Sequence, residues 1–150
     1  MSKLSAAFGD SNSLRIKSFV LGDHTFKVRV PISKELEQMQ ERISTVDTVK
    51  AEARFQKMKD GLGKEVEGVV VSEDDVVVDG RSMRELVKTI SQLENRVVEY
   101  IKLLVSPTEQ TLADITYEEI EEEWPMQVQL EMIDKISEAI QPGYKEARKN

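Results

Sequence analysis

The clearest hydrophobic pattern in the chain lies between Ser82 and Val105. Apolar residues recur there at spacings of three and four, and at 100° per residue all but Leu103 fall within one arc of roughly 160°. Ser82 followed three residues later by Glu85 is typical of a helix start, because each side chain can satisfy a free backbone N–H. Pro107 ends the pattern, since proline disfavours helical geometry in the residue before it. The segment is therefore predicted to be one amphipathic helix that organises the fold.

Alternating apolar and polar residues near the N-terminus predict a β-hairpin. The alternation covers residues 14–20 and 25–30, and Gly22-Asp23 supplies turn chemistry between them. An isolated hairpin is marginally stable in water, so its apolar face must be covered, and the central helix is the obvious candidate. The residues expected to pack inward are Ile16, Val20, Phe26, Val28 and Val30.

Helical spacing also appears on both sides of the central segment. A helix is expected from Ser33, with a kink in the β-branched run ISTVDTV before it resumes towards Gly61. Two short helices are expected to begin at Ser106-Pro107 and at Thr116, and a last helix covers PMQVQLEMIDKISEAIQ. Two valine runs within residues 64–80 predict a second short hairpin.

These elements predict a mainly α-helical α+β fold, in which the N-terminal hairpin packs on a bundle of four to five helices. We expect a flexible arm at residues 1–12, one globular domain over residues 13–141 and a flexible tail at residues 142–150. No apolar run reaches the length of about 18 residues that a membrane helix needs, and the N-terminus lacks the apolar core of a signal peptide. A cytoplasmic location is therefore expected.

Charge is distributed unevenly along the chain, whose formal net charge is −7. Between Pro107 and Gln141 there are ten acidic residues and one basic residue, Lys135. Because phosphate contacts by basic residues supply most nucleic-acid affinity, this acidic third argues against DNA or RNA as a partner. The acidic residues form either a solvated face or a docking face for a basic partner, and the sequence leaves both readings open.

Candidate chemistry is sparse, so no catalytic residue, metal ligand or cofactor is predicted. The chain has no cysteine and a single histidine, His24, beside the hairpin turn. A calcium loop starting at Asp75 fails, because Val77 and Leu86 would stand at ligand positions. Glu94 interrupts the apolar face of the central helix, and a structural ion pair with arginine or lysine is favoured over a catalytic role.

The last helix carries a wider apolar arc than packing against one core requires. Its apolar residues fill about 200°, whereas a one-sided surface helix needs little more than about 100°. We expect Met126, Leu130 and Ile133 to pack inward. A partner-binding stripe is then predicted from residues at spacing four, bordered by glutamates: Trp124, Val128, Met132 and Ile136, with Glu121, Glu122 and Glu123. The alternative is that the whole arc is buried.

The polar arm, the hairpin SLRIKSFVLGDHTFKVRVP, the helices that follow and the acidic end EEEWPMQVQLEMIDKISEAI together resemble the tail assembly chaperones of long-tailed bacteriophages, the family of lambda's G protein. The resemblance covers most of the chain and rests on element order, size and acidity. It implies a non-enzymatic, self-associating protein of the host cytoplasm that solubilises the tape measure protein, helps recruit tail tube protein and is absent from the mature virion. The rival interpretation is an oligomeric helical adaptor or regulator that binds another protein; an enzyme with an unrecognised carboxylate site is a weaker third.

Overall fold

The fold is α+β and mainly helical, as the sequence predicts. A computed structural model describes residues 3–9, 12–61, 69–71, 75–78, 80–108 and 111–141. The helices are α1 (Lys3–Phe8), α2 (Ser33–Ser44), α3 (Thr48–Gly61), α4 (Met83–Ile101), α5 (Tyr117–Glu123) and α6 (Met126–Ile140), with a 3₁₀ turn at Asn12–Arg15. The strands are β1 (Ile16–Leu21), β2 (His24–Arg29), β3 (Val69–Val71), β4 (Val76–Val78), β5 (Arg81–Ser82) and β6 (Leu104–Val105).

The chain forms two compact units. The first comprises Met1–Met39 with Val97–Asn150, and the second comprises Gln40–Arg96. The predicted arm contains α1, which has no buried residue. The predicted tail, residues 142–150, lies outside the described residues.

The first unit is built on an antiparallel sheet with the strand order β1-β2-β6. Gly22 turns the hairpin with a φ of 63°, a left-handed conformation that glycine adopts at no steric cost. The register places Phe19 opposite Phe26 and Val28 opposite Leu104. Opposite residues share a face, so these four side chains lie on one side of the sheet. That side faces α6, which packs against β1 and β2.

The predicted inward face of β1 is wrong by one residue. Ile16 and Val20 are exposed, whereas Phe19 and Leu21 are half-buried on the side of Val28. Both faces of β1 carry apolar residues. Pairing with β2 places the face that contains Phe19 on the same side of the sheet as Val28. The inward packing predicted for β2 is confirmed at Val28, which is fully buried, and in part at Phe26, which is half-buried.

The central helix is confirmed, but it ends at Ile101 rather than at Val105. The N–H of Leu103 donates to the carbonyl of Tyr100 at 3.0 Å, a tight turn that closes the helix. Leu104 and Val105 then form β6 and pair with Lys27 and Val28. Pairing with β2 satisfies backbone hydrogen-bonding groups of Leu104 and Val105 that a longer helix would have satisfied internally.

The region after β6 contains one short helix instead of the predicted two. Within the described residues 106–108 and 111–116, none is helical. Ser106 Oγ accepts the Thr108 N–H at 3.2 Å, so this serine closes a local turn. Thr116 does begin α5 as predicted, since its hydroxyl oxygen accepts the Glu119 N–H at 3.3 Å.

The second unit contains α3, the first part of α4 and a sheet with the order β3-β4-β5. Its core is a cluster of four buried residues, Phe55, Val76, Met83 and Val87. The predicted second hairpin is confirmed in the pairing of β3 with β4, and β5 is an addition; residues 72–74 between the valine runs lie outside the described residues.

Polar side chains begin the helices of this unit and link them. The expected kink near residue 45 is a full break, after which Asp47 Oδ1 accepts the N–H groups of Val49 and Lys50. Asp75 Oδ1 accepts the Val76 and Arg84 N–H groups. Glu94 receives two hydrogen bonds from one Arg54 nitrogen, at 2.8 and 2.9 Å, which confirms its predicted ion pair.

Candidate functional site

An apolar cleft in the first unit is the most promising site for a ligand. Its volume is about 220 Å³. Most of the lining side chains are only partly buried, so the cleft is open to solvent. The lining residues are Phe26, Ile101, Leu104, Val105, Ser106, Pro107, Leu112, Ile115, Ile120, Glu123 and Trp124.

Short-range turns place the apolar side chains around this cleft. The Ile115 N–H donates to the Leu112 carbonyl at 3.1 Å, and this turn brings both side chains to the same wall. In α5, the Trp124 N–H donates to the Ile120 carbonyl at 2.8 Å. This bond continues the helical turn, so Ile120 and Trp124, four residues apart, lie on the same side.

Trp124 is fixed on both its ring and its backbone. Its ring meets Phe26 edge-on, with the centroids 6.3 Å apart and the planes at 85°. Its carbonyl oxygen accepts the Gln129 Nε2–H at 2.9 Å, and Gln129 Oε1 accepts the Tyr117 hydroxyl at 3.0 Å. These bonds hold the corner between α5 and α6, and therefore one wall of the cleft.

Gln129 is a structural residue that sequence reasoning missed. It is buried to 1% exposure within α6, and both ends of its amide are hydrogen-bonded. The sequence does contain a sign of this role, because Gln129 lies inside the apolar arc of the last helix. A polar side chain that is buried there needs hydrogen-bond partners.

The structure brings only two of the predicted partner-binding residues to the cleft, Trp124 and Glu123. Glu121 and Glu122 are exposed on α5 but do not line the cleft.

The predicted assignment of the two faces of α6 is wrong. Met132 and Ile136 are buried, at 1% and 0% exposure, and Val128 is half-buried. Met126 and Leu130, which were expected inside, are exposed at 48% and 42%. The line of residues at spacing four that includes Met132 packs against the sheet, so Met132 and Ile136 are core residues of this unit and not a surface stripe.

The rim of the cleft is acidic. Five of the seven residues of α5 are glutamates and none is basic. Glu123 and Ser106 are the polar side chains that line the cleft itself. Such a surface can bury apolar side chains of a ligand and attract a cation beside them.

No metal-binding arrangement appears in the part of the chain that the structure describes. Within it, no three histidine, aspartate or glutamate side chains are placed to hold a metal ion. The side chain of His24 is 77% exposed beside Asp23. The described helices also include none with the length and apolar character needed to cross a bilayer.

Comparison of the chain with protein families, curated proteins and solved structures finds no match. Function is therefore inferred from the cleft and from the resemblance of the sequence.

Proposed function

We propose that this protein is a non-enzymatic tail assembly chaperone, which binds the tape measure protein of a long-tailed phage and keeps it soluble in the host cytoplasm. In this proposal it also helps recruit tail tube protein and leaves before the virion is complete. The observation that carries the proposal is the solvent-open apolar cleft, with Trp124 in its wall and Glu123 at its rim.

The cleft suits a client that exposes apolar side chains before it assembles. Covering those side chains removes apolar surface from water, which is the main driving force for aggregation. Trp124 is a large, rigid contact residue of the kind that contributes most to protein interfaces. Its contact with Phe26 holds the ring in place before the client arrives, so little conformational entropy is lost on binding.

The glutamates of α5 add selectivity for a particular type of client segment. Glu123 lines the cleft, and Glu119, Glu121 and Glu122 are exposed along the same helix. We infer that the bound segment is amphipathic, with apolar residues that enter the cleft and lysine or arginine beside them. Charge attraction at the rim chiefly raises the association rate and selects the partner.

Co-expression with the tape measure protein of the same phage tests the proposal. The wild-type chain should raise the soluble fraction of the tape measure protein and co-purify with it. Trp124→Ala with Glu123→Lys should reduce co-purification by at least tenfold while circular dichroism shows retained folding. The matched control is Ile32→Ala with Glu37→Lys, a pair of exposed residues outside the cleft, which should bind like the wild type.

Different results would separate the candidate functions. No gain in solubility and no co-purification would overturn the chaperone proposal. Recovery of a different protein, lost on the same cleft substitutions, would favour the adaptor or regulator. Equal loss in the cleft variant and the control variant would show that the cleft is not the binding site.

A further inference from the structure

The first strand of the hairpin has an outer edge that no other described strand covers. The sheet order β1-β2-β6 places β1 at one side of the sheet. Four of its residues are exposed: Ile16, Lys17, Ser18 and Val20. The edge of a strand carries backbone N–H and C=O groups that can pair with another extended chain. The outer edge of β1 is therefore a template for an added strand.

One hydrogen bond shows which backbone groups of β1 point towards this edge. The Val30 N–H donates to the Arg15 carbonyl at 2.6 Å, so the backbone of Arg15 points towards the second strand of the hairpin. Backbone groups alternate in direction along an antiparallel pair. In the register of β1 with β2, Ile16, Ser18 and Val20 therefore direct their N–H and C=O groups towards the outer edge. The edge presents donors and acceptors at a regular spacing of two residues.

A second hydrogen bond agrees with this phase. Arg29 lies opposite Ile16, and its N–H donates away from β1, to the Leu103 carbonyl at 2.9 Å. Among the described residues, no hydrogen bond from another element reaches the outward groups of Ile16, Ser18 and Val20. These groups are therefore open to a partner from outside the sheet.

The surroundings of the outer edge are basic. Neither β1 nor β2 contains an acidic residue, whereas the two strands contain Lys17, Lys27 and Arg29. Lys17 belongs to none of the ion pairs between described residues. Lys17 lies opposite Val28 and Lys27 lies opposite Ser18, so the two lysines are on different faces of the sheet. A strand that adds to this edge thus meets a cation on each face.

We propose that the outer edge of β1 binds an extended, acidic segment of a partner protein, which adds to the sheet antiparallel to β1. The backbone of the segment bonds to the outward groups of Ile16, Ser18 and Val20. Segment residues opposite these three share their face of the sheet and should be apolar or β-branched. The segment residue opposite Lys17 should be aspartate or glutamate, because opposite charges on directly opposed residues stabilise the pairing.

Charge distinguishes this partner from a second copy of the same strand. A second β1 brings no carboxylate to Lys17, because the strand contains no acidic residue. Lysine on an edge strand is one of the devices that prevent pairing between like edges. The acidic segment also differs from the basic amphipathic segment inferred for the cleft. The cleft and the outer edge therefore select different partner segments.

A synthetic peptide added to the full-length chain tests the proposal. The probe is acetyl-Asp-Val-Thr-Val-Glu-Val-Asp-amide, whose valines are placed to oppose Val20, Ser18 and Ile16 and whose glutamate is placed to oppose Lys17. At a saturating peptide concentration, amide hydrogen exchange measured by NMR should slow at least tenfold at Ile16, Ser18 and Val20. Exchange at Lys17 and Phe19 should slow less, because their N–H groups already point towards β2.

N-methylation of the peptide separates strand pairing from contact between side chains. Methyl groups on the valine nitrogens should weaken binding at least tenfold, because these nitrogens face β1 and lose their donor hydrogens. Methyl groups on the threonine and glutamate nitrogens point away from β1. This matched control peptide should bind like the parent peptide.

Two substitutions in the protein test the same edge. Ser18→Pro removes an outward N–H, and proline is tolerated on an edge strand where its nitrogen faces solvent. This variant should fold by circular dichroism and bind the peptide at least tenfold more weakly, whereas Ser18→Ala keeps the N–H and should bind like the wild type. Lys17→Glu should also weaken binding, and a peptide with lysine in place of its glutamate should restore it. Lys57→Glu, an exposed change in the second unit, is the charge control and should bind like the wild type.

Several results would overturn the proposal. These are amide protection that does not alternate along β1, equal loss of affinity for both methylated peptides, and equal binding by the wild type and Lys17→Glu. Protection of Ile16, Ser18 and Val20 without peptide, lost on dilution, would show that a second copy occupies the edge. If Ser18→Pro does not fold, the methylated peptides test the same hydrogen bonds on the wild-type chain. None of these measurements uses the client or the cleft, so their failure is distinguishable from failure of the chaperone proposal.

Discussion

At the scale of single residues, carboxylate side chains in the described part of this chain accept hydrogen bonds that stabilise the fold. Asp75 shows this most clearly. Hydrogen bonds from the Ser82 hydroxyl, and then from the Arg84 and Val76 N–H groups, hold the pKa of Asp75 below its usual range. These bonds stabilise the ionised form and connect the start of β4 with the start of α4.

Asp75→Asn should therefore destabilise the fold in a pH-dependent manner. A folded-state pKa below the unfolded value of about 3.9 gives stability that is present above that value and is lost as pH falls towards the lowered pKa. In urea unfolding the variant should have a lower midpoint than the wild type at pH 7, and the two midpoints should converge as the solution is acidified below about pH 4. Asp114→Asn, at an exposed turn, should match the wild type throughout. A difference that persists unchanged in acid would contradict the role of the charge.

At the scale of elements, the decisive question was which side of each amphipathic segment faces the core. The existence of β1, β2, α4 and α6 could be predicted, because their periodicity is strong. The side of β1 and of α6 that faces the core could not be predicted. In β1, Ile16 and Val20 lie in one phase of the alternation and Phe19 and Leu21 in the other. The apolar arc of α6 is likewise wide enough for two interpretations. Packing against other elements of the fold decides which side of a segment is buried, and the sequence of that segment alone does not specify the side.

The corrected facing of α6 gives a direct prediction. Ile136→Ala should cost about 2 to 5 kcal/mol of unfolding free energy, because Ile136 is fully buried and its loss leaves a cavity. Leu130→Ala, on the same helix, should cost about 0.5 kcal/mol or less, since an exposed side chain loses little packing. Urea unfolding at neutral pH measures both. Equal costs would contradict an orientation of α6 in which Ile136 is buried and Leu130 is exposed.

The cleft was harder to predict than the helices that border it. Trp124 and Glu123 stood out because of their chemistry, but the other walls come from β2, the end of α4 and the irregular segment before α5. Those parts are distant in sequence and meet only through the fold. Because a helix was expected after Ser106, the place of Leu112 and Ile115 in the cleft wall could not be predicted. Their positions depend on a turn outside regular secondary structure.

At the scale of the whole molecule, client binding should be linked to folding. A ligand that binds only the folded state stabilises it, by about 2.7 kcal/mol at a concentration one hundred times its dissociation constant. An amphipathic peptide with lysines on its polar face should therefore raise the melting temperature of the wild-type chain. The same peptide should leave the melting temperature of Trp124→Ala with Glu123→Lys nearly unchanged. Equal stabilisation of both chains would place the peptide outside the cleft.

The short pairing between β2 and β6 has a consequence for the shape of the cleft. Leu104 and Val105 line the cleft and also pair with Val28 and Lys27 of the hairpin. Phe26, from the same hairpin, lines the cleft as well. A local opening of this two-residue ladder would therefore change the cleft while the helices remain folded.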